Sequence, residues 1–203
     1  MNKLCVRAAV MLLCAAAAAC SSSGPATSYY SLFAQQQPLE QAEVISVPSK
    51  KISALGIGPV NVAGYLKNTA IVSRKQGQGL AVSGAHAWAE ALDSAIARVV
   101  AAELDDGMQA LSVQSFPWDS RSRPRWQLRI DVQEFDGERP GPVRARLQWT
   151  LFDVEASTEL ARGRYRHSLE SGASYEAYVQ SLNQLLNDFS AELKKELEGL
   201  DIL

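Results

Sequence analysis

The 203-residue chain sets 20 Lys and Arg against 22 Asp and Glu, a formal net charge of −2, and 47% of its residues are hydrophobic. That balance excludes the strongly basic surface on which nucleic-acid binding depends, and the apolar content suffices for one domain with its own core. Cys5, Cys14 and Cys20 are the three cysteines, so the chain beyond Cys20 has no disulfide, thiolate nucleophile or thiolate metal ligand.

A short basic start, with Lys3 and Arg7, leads into a run of small and apolar residues over 8–19, broken by Cys14 and ending at Cys20. The run is shorter than the ~20 apolar residues that span a bilayer, and it reads as a cleavable signal peptide. Leu12-Leu13 passes through alanines to Ala18-Ala19-Cys20 and then to polar Ser21-Ser22-Ser23. This resembles a lipobox, with Ala17 where leucine is commoner. It makes Cys20 the expected site of lipidation, residues 1–19 the removed peptide, 20–28 a lipidated tether and 29–203 the domain. Ser21, where an aspartate would retain the chain at the inner membrane, fits export to the outer membrane, facing the periplasm. Extended at ~3.4 Å per residue, Ser21 to Ser28 reaches only ~27 Å, which keeps the domain close to its membrane. Loss of Lys3 and Arg7 leaves 18 basic against 22 acidic residues.

Residues 29–33 (Tyr-Tyr-Ser-Leu-Phe) read as a first strand, and 35–51, rich in Gln, Pro and charge, as a long connection. Residues 53–62 alternate as a strand, and 70–74 and 80–82 flank Gln76-Gly77-Gln78-Gly79 as a hairpin. Over 85–105 the period changes. Trp88, Leu92, Ile96, Val99 and Val100 share a helical face, with Ser83 as the expected N-cap and Asp106-Gly107 as the stop. Leu111 and Val113 start a short strand, and residues 117–124 form a polar loop carrying Trp118. Trp126, Leu128, Ile130 and Val132 alternate with polar residues, as do Val143, Ala145, Leu147, Trp149 and Leu151, and residues 160–168 supply a third strand of a meander. From Tyr175 to Leu197 the apolar spacing predicts a long helix begun by Ser174. The order predicts a single α+β domain: a mostly antiparallel sheet with two amphipathic helices packed on one face.

Catalytic chemistry finds few groups. His86 and His167 are the two imidazoles. On a helix His86 and Glu90 would stand at i and i+4, a spacing that can hold zinc, but no third ligand accompanies them and a helix-surface contact is the weightier reading. His167 reads as a polar residue of an edge strand. Gly56-Ile57-Gly58 fails as a dinucleotide loop because Pro59 follows and Asn61 occupies the third glycine position. No enzyme activity, metal or cofactor is expected, apart from covalent lipid on Cys20.

Surfaces offer more. Arg144 and Arg146 fall on the face opposite Leu147 and Trp149, and Arg162, Arg164 and Arg166 share one face of the next strand. Paired, the two strands would form a basic stripe, either a solvated face neutralised by Asp131 and Glu134 or a dock for lipid headgroups, lipopolysaccharide phosphates or an acidic partner. Trp88, Trp126 and Trp149 belong to apolar faces and are assigned to the core. Trp118, in its polar loop, is a candidate contact residue, as are Tyr65 and Leu66 in an exposed-looking apolar loop after Gly64.

Five fragments in order behind the lipobox carry a family resemblance: Gly56-Ile57-Gly58-Pro59-Val60, Ile71-Val72-Ser73-Arg74, His86-Ala87-Trp88-Ala89-Glu90-Ala91-Leu92, Phe135-Asp136-Gly137 and Leu147-Gln148-Trp149-Thr150-Leu151. With Tyr65-Leu66 they resemble the ABC-type transport auxiliary lipoproteins, in the branch similar to paraquat-inducible protein C. Ala91 and Gly64 depart from it at positions where that family often has proline. The resemblance implies an accessory subunit without enzymatic activity. It would work with an MCE-domain protein and an integral inner-membrane protein in lipid movement or membrane integrity. The alternative kept open is an outer-membrane assembly or lipopolysaccharide-insertion lipoprotein with a β-barrel partner. The apolar stripe of the last helix, continuing past Glu196, adds a homo-oligomer as an expectation.

Overall fold

The computed structural model describes residues 26–35, 53–75, 77–105, 111–119, 121 and 123–200. The signal peptide, Cys20, most of the tether, nearly all of the 35–51 connection, the Asp106-Gly107 stop and the last three residues lie outside that set.

Strand character is densest over residues 126–171, and there the strands are longest. β6 (Trp126–Gly137), β7 (Gly141–Asp153) and β8 (Thr158–Ser171) form the expected antiparallel meander. On β7 every second residue from Val143 to Asp153 is buried and those between are half-buried, as alternation requires. β2 (Ser53–Val62) lies inside the same sheet, parallel to β6 on one side and to β5 (Leu111–Ser115) on the other, giving the order β5-β2-β6-β7-β8. Its register shifts between Ile57 and Val60, where Pro59 has no N–H to give to a ladder. Parallel pairing of β2 with β5 needs a long crossover. That crossover contains two of the three strands of a second sheet and the helix α1 (Leu92–Asp105).

The second sheet has the order β1-β4-β3, with β1 (Ser28–Tyr30) parallel to β4 (Leu80–Trp88), and β3 (Ala70–Arg74) antiparallel to it. Here one expectation is corrected. Residues 85–88 do not open a helix; they continue β4. Ser83 is not an N-cap, and its hydroxyl accepts from the N–H groups of Ala85 and His86, at 3.3 and 2.9 Å. The two alanines of Ala85-His86-Ala87 favour a helix, and pairing with β1 on one side and Ala70 on the other overrides that local preference. α1 therefore begins at Leu92 and buries Leu92, Ile96, Val99, Val100 and Leu104.

The second helix, α2 (Tyr175–Glu198), starts where expected. Ser174 is its N-cap, accepting from the Ala177 N–H at 3.1 Å. Tyr178, Leu182, Leu185, Leu186, Phe189, Leu193 and Leu197 make its buried stripe. α1 packs on β2 and β5 and α2 on β7 and β8, and the helices touch each other, so both cover one face of the five-stranded sheet. The α+β expectation holds, with the strands divided into two mixed sheets.

Trp88, Trp126 and Trp149 are buried, as assigned. Trp149 lies over Gly163, its register partner on β8: a Cβ there would stand 2.6 Å from the indole. Gly163→Val is expected to cost about 1–3 kcal/mol, since the ring must leave its packed position. A thermal melt checks this, and an unchanged midpoint would mean that the indole moves freely.

Candidate functional site

The helices leave the opposite face of β6, β7 and β8 open, and alternation places the arginines there. Register brings Arg144 opposite Ser168, Arg146 opposite Arg166, Gln148 opposite Arg164 and Thr150 opposite Arg162. The stripe expected from spacing alone is thus assembled by the β7–β8 ladder. On its other side β7 meets Asp136, Glu134, Asp131 and Arg129 of β6.

Those neighbours divide the arginines into two classes. Arg146 pairs with Glu134 at 3.1 Å and Arg162 with Glu159 at 2.5 Å. Asp131 accepts from the Asn61 amide at 3.1 Å and takes no arginine among the described residues. Arg144, Arg164 and Arg166 have no hydrogen-bond or ion-pair partner among the described residues. Arg144, Arg146, Arg166, Glu134 and Ser168 line a shallow depression of about 410 Å³. Unpaired guanidinium groups around a concavity can take two oxygens of a phosphate or carboxylate in parallel hydrogen bonds.

The imidazoles are engaged elsewhere. His86, on β4 and not on a helix, stacks on Tyr175 with ring centroids 3.8 Å apart, and its Nδ1 is 2.9 Å from the Tyr30 hydroxyl, which donates to Glu176. Glu90 is turned away from it and pairs with Arg98, whose guanidinium holds that carboxyl below the usual carboxylate range. The His86/Glu90 helical pair is therefore corrected, because the strand continues through His86. His167 stacks on Tyr165 and faces Glu192 at 3.4 Å. No group of three or more His, Cys, Asp or Glu able to hold a metal occurs among the described residues. Nor is any helix among them long and apolar enough to cross a membrane.

Residues 30–194 match the family of ABC-type transport auxiliary lipoprotein components. The chain belongs to this family. None of the curated proteins is a significant match. Two crystal structures share the fold. One, of an uncharacterized protein, is 21% identical with a TM-score of 0.67, over 85% of this chain and 99% of its own. The other, from Xanthomonas campestris and assigned to the family DUF330, is 15% identical with a TM-score of 0.65, over 84% and 94%.

The contact candidates of this auxiliary lipoprotein fare unevenly. Tyr65 and Leu66 sit in a 3-10 turn (Gly64–Lys67), closed by the Leu66 N–H donating to the Ala63 carbonyl at 2.8 Å. Leu66 is 4% exposed and belongs to the core, which corrects its assignment to an exposed loop. Tyr65 is half-buried with its hydroxyl enclosed beside Arg74 and Asp136, and burial chiefly pushes that hydroxyl up to about 12. Trp118 is half-buried: its ring edge lies over Gly56, where a Cβ would stand 2.8 Å away, and it meets Phe116 edge-on at 5.2 Å. The more exposed apolar side chains are Tyr29, Phe33, Leu80, Val82 and Phe116. Sequence reasoning placed these on strands or in a loop without marking them, because alternation does not say which edge of a small sheet stays uncovered.

Proposed function

We propose that the protein is an outer-membrane-anchored periplasmic lipoprotein that serves as an accessory subunit of an MCE-type trans-envelope lipid transport system. One observation carries the reading: a family match over residues 30–194 that stands directly behind the lipobox ending at Cys20. The role is one of binding and positioning without turnover. The engagement of both imidazoles in stacking supports that, as does the open basic face, whose unpaired arginines suit lipid phosphates or an acidic surface of the partner. The partners in this reading are an MCE-domain protein and an integral inner-membrane protein, with no nucleic acid. Homo-oligomerisation around the MCE partner accompanies it, and a monomeric mass for the purified protein would remove that part. Leu197 contributes nothing to such an interface, being fully buried in the protein's own core.

The test is crosslinked affinity capture of the full-length lipoprotein from its native envelope, with partners identified by mass spectrometry. Recovery of an MCE-domain protein is the expected result. Recovery of a β-barrel alone would favour the outer-membrane assembly role instead. Anchoring is checked separately. Cys20→Ala is expected to abolish palmitate labelling and to move the protein from the membrane to the soluble envelope fraction. A variant still held in the membrane would place the anchor elsewhere.

A further inference from the structure

The β3–β4 hairpin carries exposed apolar side chains that the arginine face does not explain. Leu80 is 44% and Val82 56% exposed on β4, next to the turn at Gly77-Gln78-Gly79. Two neighbouring β-strand hydrophobes on one face of β4 left to solvent ask for a cover. Four observations point to the same cover.

β1 runs parallel to β4, with Ser28 opposite His86 and Tyr30 opposite Trp88. Traced backwards from Ser28, the chain leaves in the direction in which β4 runs back from His86 to Leu80, towards the hairpin turn. The reach is sufficient. Leu80 precedes His86 by six residues, about 20 Å of strand, and Cys20 precedes Ser28 by eight, about 27 Å when extended. Between Leu80 and Ala85, β4 has no strand paired on its β1 side among the described residues. Finally, Arg74, the last residue of β3, bridges in parallel to Glu138, just past the end of β6, so the turn after Arg74 lies at the end of the sheet towards which β6 runs. An exposed turn at one end of the sheet, apolar flanks and an anchored chain leaving the same way coincide.

We infer that the β3–β4 hairpin rests on the lipid surface that holds the Cys20 anchor, with Leu80 and Val82 seated at the headgroup boundary. The inference rests on the anchor reading of Cys20. The acyl chains then supply attachment and the hairpin supplies orientation, since one flexible tether alone leaves a domain free to turn. Lys75, exposed beside the turn, suits anionic headgroups at that depth. With the hairpin down, β6, β7 and β8 rise from the membrane and their basic face looks sideways, open to a partner.

The domain beyond Cys20 has no cysteine, so single labelling sites are clean. Leu80→Cys, Val82→Cys and Glu155→Cys, each in the full-length lipidated protein, carry an environment-sensitive fluorophore on vesicles of phosphatidylethanolamine and phosphatidylglycerol. Glu155 lies in the β7–β8 turn, next to Asp153, which is the partner of the first residue of β6. It marks the far end of the sheet. Expected are a blue shift and quenching by spin-labelled lipid at 80 and 82, and neither at 155. Labels at 80 and 82 as aqueous as the one at 155, on a chain whose mass shows the lipid, would overturn the hairpin placement and leave the anchor intact. A chain without lipid that stays off the vesicles would overturn both.

Discussion

Replacing Arg74 with leucine is expected to cost about 3–5 kcal/mol and to lower the melting midpoint on the order of 10 °C. Asp136 has no exposure to solvent, and its two carboxylate oxygens accept from the Arg74 Nε at 3.1 and 3.0 Å. Remove the guanidinium and a buried carboxylate is left beside Glu134, itself 3.6 Å from Arg74, with the neutral Tyr65 hydroxyl offering a dipole in place of a cation. The same spot joins three elements. The Tyr178 hydroxyl of α2 accepts from the Gly137 N–H at 3.0 Å and donates to the Val72 carbonyl at 2.9 Å, tying the helix to β6 and β3. The double substitution Arg74→Leu with Asp136→Leu separates charge from shape. If the loss comes from an unpaired charge, the double variant recovers much of it; if both variants melt alike, the packing of the arginine stem was the larger contribution.

Little of that junction is legible in the sequence, because Arg74 and Asp136 stand 62 positions apart and nothing local distinguishes them from surface residues. What is legible is what repeats. α2 announces its start with Ser174 and its stripe with apolar residues at helical spacing, and β6 and β7 declare their faces by alternation, so the arginines of β7 and β8 could be placed on one side before their register was known. Where period is absent the reading fails. Residues 85–88 satisfy a helical pattern only through Trp88, and that ring is buried equally well from a strand. Tyr65-Leu66 reads as an exposed loop because a 3-10 turn is too short to show a period, and Leu66 is buried by contacts made with remote elements. The parallel partners of β2 were out of reach for the same reason, since a crossover carries no local mark of the strand it returns to.

Charge reversal at Arg144, Arg164 and Arg166 together is the sharper trial of the basic face. The choice follows from the ladder: Arg146 and Arg162 are already paired with Glu134 and Glu159, and reversing either would set like charges against each other and confuse binding with stability. None of the three has an ion pair to lose, and only Arg144 faces an acidic register partner, Asp136, so the triple variant should still fold, with stability lowered by about 1 kcal/mol at most from that one cross-strand contact. Each basic residue near an anionic surface contributes about 1 kcal/mol, so loss of three predicts weakening on the order of 100-fold, with the residual binding less sensitive to salt. Titration of the full-length protein against its captured partner and against anionic vesicles, across ionic strength, reads both arms. Position along the stripe then separates the two occupants. In the strand register Arg144 stands opposite Asp136, near the end of β6 where the hairpin lies, while Arg164, opposite Gln148, stands four residues further along β7, about 13 Å away. If the face meets lipid phosphates beside the anchor, Arg144→Glu alone should weaken vesicle binding more than Arg164→Glu. If it meets an acidic partner along its length, the two single variants should weaken partner capture about equally and leave vesicle binding unchanged. Binding of both ligands unaffected by the triple variant would reduce the stripe to a solvated sheet face.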